Sequence, residues 1–228
     1  MVGSRTLASA VDLPLLARFY DEVYLPAFAH QREPREVWEA GLVAPAACRR
    51  FITLAGAGLD DAATARIDGG VTCEWYPRSR CGLLTYLVVA PGARGGGLGR
   101  RLLDGARAAL RDHAAACGAT LAATFGEVAD PDTSGDPDAA ARLARFRRWG
   151  ARLVDARYVQ PALGPGLARD RHLRLIAFVD GAPPATLAGG VVAGFLREFY
   201  AVTEGREPDG DPELGAVVAA IGARVALR

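Results

Sequence analysis

The sequence predicts an α/β fold: a mixed, mostly antiparallel sheet flanked by helices, followed by a C-terminal helical extension. Three observations predict it. Apolar segments at 51–57, 65–76 and 82–90 are joined by hairpin-length links, so these strands should run antiparallel. A glycine-rich loop at 91–97 then leads from the most continuous apolar segment, Gly82–Ala90, into the most regular amphipathic helix, Leu98–Ala116. That order is an α/β crossover. Beyond residue 184, two apolar stripes at helical spacing exceed what a minimal domain needs.

The elements follow in order. Leu13–Ala29 reads as a helix, with Leu15, Leu16, Phe19, Tyr20 and Val23 on one face, Asp12 as N-cap and Pro14 in the first turn. Arg35–Ala44 is a second helix, stopped by Pro45. Phe51–Ala57 and Ala65–Tyr76 are strands, the latter bent or bulged at Gly69-Gly70. Gly82–Ala90 is apolar on both faces, as a central strand should be. Ala119–Phe125 is another buried strand, and Ala139–Trp149 a helix closed by Gly150. Leu153–Val159 and Leu173–Val179 are strands. Helices are expected from Leu187 to about Thr203 and from Pro212 to Leu227. The expected division is 1–183 for the main domain and 184–228 for the extension. The extension packs on that domain or at a homodimer interface.

Composition narrows the function. The 228 residues carry 27 basic and 26 acidic side chains. A net charge of +1 argues against a protein that coats nucleic acid. All basic residues are Arg, so lysine nucleophiles and Schiff-base chemistry are excluded. The N-terminus is a poor signal peptide, and the apolar run Ala185–Leu196 is too short to span a bilayer. No membrane partner and a cytoplasmic location are expected. Cys48, Cys73, Cys81 and Cys117 form no CxxC pair, and His30, His113 and His172 lie far from them, so no metal site is expected. Reduced thiols are the plain reading; a hairpin disulfide between Cys73 and Cys81 is the alternative.

The chemistry concentrates at Arg94-Gly95-Gly96-Gly97-Leu98-Gly99, between the best strand and the best helix. A helix N-terminus offers unpaired amides and partial positive charge. Glycines let successive amides turn to one point. Arg94 with Arg100 or Arg101 adds charge-assisted bonds. Together they suit a phosphate or pyrophosphate. The dinucleotide fingerprint fails because residue 100 is Arg, and the ATP loop fails for want of Lys. The bland alternative is a glycine-rich turn in a glycine-rich chain.

The stretch Leu87-Val88-Val89-Ala90-Pro91-Gly92-Ala93-Arg94-Gly95-Gly96-Gly97-Leu98-Gly99-Arg100-Arg101-Leu102-Leu103 resembles the acyl-CoA motif of the GCN5-related N-acetyltransferases. Arg94, Gly97 and Gly99 fall on its signature positions. The segment Phe146-Arg147-Arg148-Trp149-Gly150-Ala151 resembles the family's second motif. The resemblance spans roughly 15–180 and is strongest at 83–104. It implies acetyl-CoA as cosubstrate, its pyrophosphate held by the amides of Gly95, Gly96, Gly97, Leu98 and Gly99, with Arg94 and Arg100. It also implies that the strand at Leu87, Val88 and Val89 pairs with the pantetheine. The amide of Val88 or Val89 then becomes the oxyanion donor.

Direct acyl transfer also needs a base for the amine and a fate for the thiolate. Many family members carry a Tyr where this chain has Phe146, which donates no proton. Tyr86 and Tyr158 are the alternative donors. Glu127 is the first candidate base, against a role in capping the loop at 130–138. Glu74 is the second, on a strand in the neighbourhood of the acceptor cleft. His30 and His172 are weaker candidates, and His113, on the polar side of a helix remote from the loop, is expected to be solvated. The aromatic and acidic segment Phe19–Phe28, with Asp21 and Glu22, is expected on the acceptor side. The arginines of the Ala139–Trp149 helix are candidates for the 3′-phosphate or a solvated face. The expected function is N-acetyl transfer to a small-molecule or peptide amine, by a monomer or homodimer. The alternative is a CoA-binding regulatory or partner-supporting domain with little turnover.

Overall fold

In the computed structural model, which describes residues 2–28, 33–43, 47–164, 166–181 and 184–228, the chain forms two units. One comprises Met1–Trp75 with Leu84–Cys117, the other Tyr76–Leu83 with Gly118–Arg228.

In the first unit the strands run in the order β1 (Gly3–Leu7), β2 (Arg49–Ala57), β3 (Arg66–Tyr76), β4 (Cys81–Val89), the last two continuing across the unit boundary. β1 pairs antiparallel with β2 from Gly3↔Gly56 to Leu7↔Ile52, and β2 pairs antiparallel with β3. The expected bend at Gly69-Gly70 is resolved into two features. The register slips between Ala55 and Gly56, which leaves Asp68 as the extra residue. Gly69 and Gly70 serve close approach instead. A Cβ on Gly69 would lie 2.6 Å from the Val88 carbonyl oxygen, and one on Gly70 would lie 2.6 Å from Phe19 Cζ.

Three expectations for this unit are corrected. β1 is not expected from the sequence; it is mostly exposed and is held by its pairing with β2. The Leu13–Ala29 helix is interrupted: α1 is Leu13–Phe19, a π-helical turn spans Tyr20–Tyr24, and α2 is Leu25–Ala27. Asp12 precedes α1 but does not cap it with its side chain. Its carboxylate instead accepts the Ala8 amide at 2.8 Å and pairs with Arg5 at 2.6 Å. Helix α3, Arg35–Val43, buries Trp38 against Phe19, Tyr20 and Tyr24. Helix α4, Leu98–Ala116, buries Leu98, Leu102, Leu103, Ala106 and Leu110 as its stripe predicts.

In the second unit β5 (Ala123–Ala129) and β6 (Arg152–Leu153) both pair antiparallel with β7 (Leu173–Phe178). β5 therefore starts and ends later than Ala119–Phe125. Its bounds are set by β7, from Thr124↔Phe178 to Ala129↔Leu173. Helix α5 is Ala139–Arg148; Gly150 closes it at φ +97, with the Ala151 amide on the Phe146 carbonyl. The expected strand Leu153–Val159 shortens to β6. Leu153 and Asp155 bond the C-terminal residues: the Leu153 amide donates to Arg228 O at 2.7 Å and the Asp155 amide to Ala226 O at 2.9 Å, which sets Val154 opposite Leu227.

The C-terminal segment is not purely helical. β8 (Thr186–Ala188) leads into α6 (Gly189–Glu204) and α7 (Pro212–Ala219), and β9 (Arg224–Ala226) returns to pair with β8. The helix expected to reach Leu227 stops at Ala219. Val225 faces Leu187 across the strand pair, and both are buried. Phe195 of α6 stacks on Phe125 at 4.5 Å and meets Tyr76 edge-on at 5.6 Å. Buried Glu198 accepts the amides of Arg78 and Ser79 at 2.9 and 2.7 Å, tying α6 to the turn before β4.

Arg169 closes the same region. Its guanidinium meets Glu204 at 2.7 Å, Asp211 at 2.5 Å and Glu213 at 3.3 Å, and lies 4.8 Å from the Tyr200 ring centre. The bonds from Arg169 hold Asp211 and Glu204 below their ordinary values of 3.8 and 4.5. Carboxylates depressed in the folded state stabilise it above those values, and the contribution disappears as pH falls through the folded pKa. Arg169→Met should thus lower stability by about 2–3 kcal/mol at pH 7. The deficit should shrink below pH 4. Denaturant melts at pH 7 and pH 3 check this; an equal deficit at both rejects it.

Candidate active site

The loop after β4 has the geometry an anion needs. Pro91–Ala93 form a 3-10 turn, with the Ala93 amide on Ala90 O at 2.9 Å and the Arg94 amide on Pro91 O at 3.3 Å. Gly95 and Gly97 then take φ +87 and +74, a region where only glycine sits without strain. Gly97 caps α4, and the Arg101 amide is the first to bond back, to Gly97 O at 3.1 Å. The amides of Leu98, Gly99 and Arg100 therefore have no acceptor within the helix. A Cβ on Gly95 or Gly96 would meet nothing within 4 Å, so no protein atom crowds the loop there.

Cations frame this loop. Arg94 donates Nε to Val89 O at 3.1 Å, which anchors it to the end of β4. Arg101 donates to Gly96 O at 2.8 Å. Arg100 pairs with Asp104 at 2.8 Å one turn along. A bare glycine loop, a helix N-terminus and flanking guanidinium groups fit a pyrophosphate.

Strand parity separates Val88 from Val89. The Ala90 amide donates to Asp68 O of β3 at 2.9 Å. Main-chain groups alternate sides along a strand, so the Val88 amide also faces β3. The amides of Leu87 and Val89 point away from β3.

Tyr86 and Glu74 lie in different environments within the first unit. Tyr86 packs with Tyr24 at 4.9 Å, Phe28 at 5.1 Å and Trp38 at 5.4 Å. Burial pushes the Tyr24 hydroxyl up to about 12, despite its bond to Tyr86. Glu74 lies directly across from Arg50 of β2, whose Nη2 is 2.5 Å from Glu74 and 3.0 Å from Glu33. All three side chains are at most 10% exposed. Burial raises Glu33, and the charge of Glu74 adds to this while Arg50 opposes it. Arg50 and Glu33 had escaped the sequence reading. The one local signal is parity: Arg50 shares a strand face with buried Ile52 and Leu54.

Glu127 belongs to the second unit and lies within β5, opposite Leu175. In the following loop Asp130 accepts the Asp132 amide at 3.1 Å. Glu127 Oε1 accepts the Tyr158 hydroxyl and Gln160 Nε2, the latter at 2.9 Å. Tyr158 is 5% exposed, and burial followed by the charge of Glu127 pushes its ionisation well above 10. Phe146 packs against Trp149 and Phe178 at 5.6 and 6.3 Å.

The remaining candidates are not in these clusters. His113 is corrected from a solvated position: it is half-buried, with its ring 5.2 Å from Phe51 and 6.3 Å from Trp75. His172 is exposed at the start of β7, and His30 lies outside the described residues. The four cysteines are free thiols, not a Cys73–Cys81 bridge. Burial raises Cys48 and Cys81 to about 12, so neither is a nucleophile near neutral pH.

The model of the acetyltransferase (GNAT) family matches residues 16–130. No curated protein matches the chain by sequence. A Bacteroides thetaiotaomicron protein described as a GNAT-family acetyltransferase is similar in structure, at 18% identity and TM-score 0.54, over 79% of this chain and 89% of that one. A tandem GNAT protein from the clavulanic acid biosynthesis pathway is similar at 21% identity and TM-score 0.55, over 70% of this chain and 46% of that one. Nourseothricin acetyltransferase aligns at 22% identity and TM-score 0.39, over 57% of this chain and 64% of its own. The family match covers the strand, glycine loop and helix of the candidate anion site, and the chain belongs to the GNAT family of acetyltransferases.

Proposed function

We propose that the protein transfers an acetyl group from acetyl-CoA to an amine by direct attack on the thioester. The observation that carries this reading is the Arg94–Gly99 loop: positive φ at two glycines, bare amides opening α4, and Arg94 anchored on Val89. In this reading the loop holds the pyrophosphate. The amide of Val89, turned away from β3, stabilises the oxyanion as the amine attacks the carbonyl carbon. The C–N bond forms, the C–S bond breaks, and the proton lost by the amine passes to Glu127. The thiolate takes a proton from water, since Phe146 has none to give. The acceptor is a small-molecule or peptide amine.

Thiol release from acetyl-CoA in the presence of an amine panel tests the activity. Glu127→Gln should reduce turnover by about 100-fold or more at saturating amine. Its acetyl-CoA affinity should remain unchanged. Equal turnover from pH 6 to 9 would move the base elsewhere. Phe146, packed among aromatic rings, favours a second reading: a CoA-binding domain with little turnover. Tight acetyl-CoA binding without thiol release for any amine would select it.

A further inference from the structure

We infer that Tyr158 is a positioning residue for Glu127, held in place by the C-terminal helices. This rests on the reading of Glu127 as the base.

Two donors converge on one carboxylate oxygen. The Tyr158 hydroxyl and Gln160 Nε2 both reach Glu127 Oε1. These contacts fix the plane of the carboxylate and favour its charged form. Tyr158 is a constant donor, because burial and the adjacent carboxylate keep its proton in place across the working range. A base works only when its free electron pair is oriented toward the proton it takes, so a fixed plane matters to rate.

Residues 158–160 belong to no strand, yet they are tied on both sides. Gln160 exchanges main-chain bonds with Asp170, at 2.8 and 3.2 Å. Tyr200 of α6 donates its hydroxyl to Val159 O at 2.8 Å, between the two donor residues. Arg169, next to Asp170, is clasped by Glu204 of α6 and by Asp211 and Glu213 at α7. The helices beyond residue 189 thus set the segment that sets the carboxylate.

Among the described residues, Asp170, Tyr200 and Arg169 are charged or titratable groups near this pair. Asp170 and Tyr200 act on Tyr158 in the same sense as Glu127, and Arg169 lies over the Tyr200 ring. Asp170 disfavours a second negative charge nearby. The donors from Tyr158 and Gln160 act the other way on Glu127, since a hydrogen bond to a carboxylate favours its charged form.

The test is a pair of measurements on the full chain. The first follows the ¹³C carboxyl resonance of Glu127 through a pH titration, which needs no activity. Tyr158→Phe should raise the Glu127 midpoint by about one to two units, the value of a charge-assisted bond. Tyr200→Phe, which leaves Tyr158 intact, should shift it in the same direction by less. The second measures kcat/KM against pH. In Tyr158→Phe the acid limb should move up by the same amount, with the acetyl-CoA KM unchanged. In a Glu127→Gln background Tyr158→Phe should produce no further loss. An unmoved Glu127 midpoint in well-folded Tyr158→Phe overturns the inference whatever the activity. A midpoint that moves while the acid limb stays overturns it through its premise, that Glu127 is the base.

Discussion

Gly97→Glu should weaken acetyl-CoA binding by at least about 100-fold while leaving the fold intact. Two effects combine. Gly97 holds φ +74, so any side chain there costs about 1–2 kcal/mol of backbone strain. The position is exposed and a Cβ meets only Arg101 Nη1, at 3.5 Å, so the loss stays well within the stability of a folded domain. Binding suffers more. A carboxylate about 4 Å from a pyrophosphate charge is repelled by roughly 4 kcal/mol near a protein surface. A 100-fold loss needs only about 2.7 kcal/mol. The glutamate also competes for Arg101 and for the amides that open α4. Calorimetry with acetyl-CoA, beside a thermal melt, measures both parts. Unchanged affinity in a folded variant rejects the loop as the donor site.

This loop was legible in the sequence because its chemistry is local. Positive φ favours glycine, and an unpaired helix start requires a loop just before an amphipathic stripe. Both are written within sixteen residues, at Gly95–Gly99 and Leu98–Leu110. The elements that were misread depend on distant partners. Val225 and Leu227 continue an apolar run that suits a helix, but Thr186–Ala188 supplies a strand partner and the chain extends. β5 is displaced toward Ala129 because β7 offers its backbone from Leu173. β1 has little apolar content and is set by β2 alone. The surroundings of the candidate base follow the same logic. Glu127 could be named from its place after an apolar strand, but its donors lie 31 and 33 residues away. Arg50 carries no signal in the sequence because every basic residue is Arg, which removes the information that a choice between Lys and Arg normally carries.

Arg50→Leu should be the most destabilising single change in the first unit, by about 3–5 kcal/mol at pH 7. It removes the guanidinium between Glu74 and Glu33, which lie 2.5 and 3.0 Å from it in a site that is at most 10% exposed. Two buried carboxylates then lose the guanidinium that lies between them. The pH dependence follows from Glu33, whose folded pKa already stands above its ordinary value of 4.5 through burial. A carboxyl raised in the folded state binds its proton more tightly folded than unfolded. The fold therefore gains stability as pH falls through the folded pKa toward 4.5, and loses it as pH rises. Without Arg50 this effect is larger, so the deficit should be greatest above pH 7 and smallest near pH 5. The Arg169 clasp runs the other way, weakening only below pH 4, so the two sites separate on one pH series. Replacing the whole triad, Arg50→Leu with Glu74→Leu and Glu33→Gln, should restore most of the loss, because burying apolar groups avoids the desolvation that the ion pairs only balance. Denaturant melts of the single and triple variants between pH 5 and pH 8 measure this. A deficit below about 1 kcal/mol, or one that does not change with pH, would show that Arg50 is not what keeps the two glutamates buried.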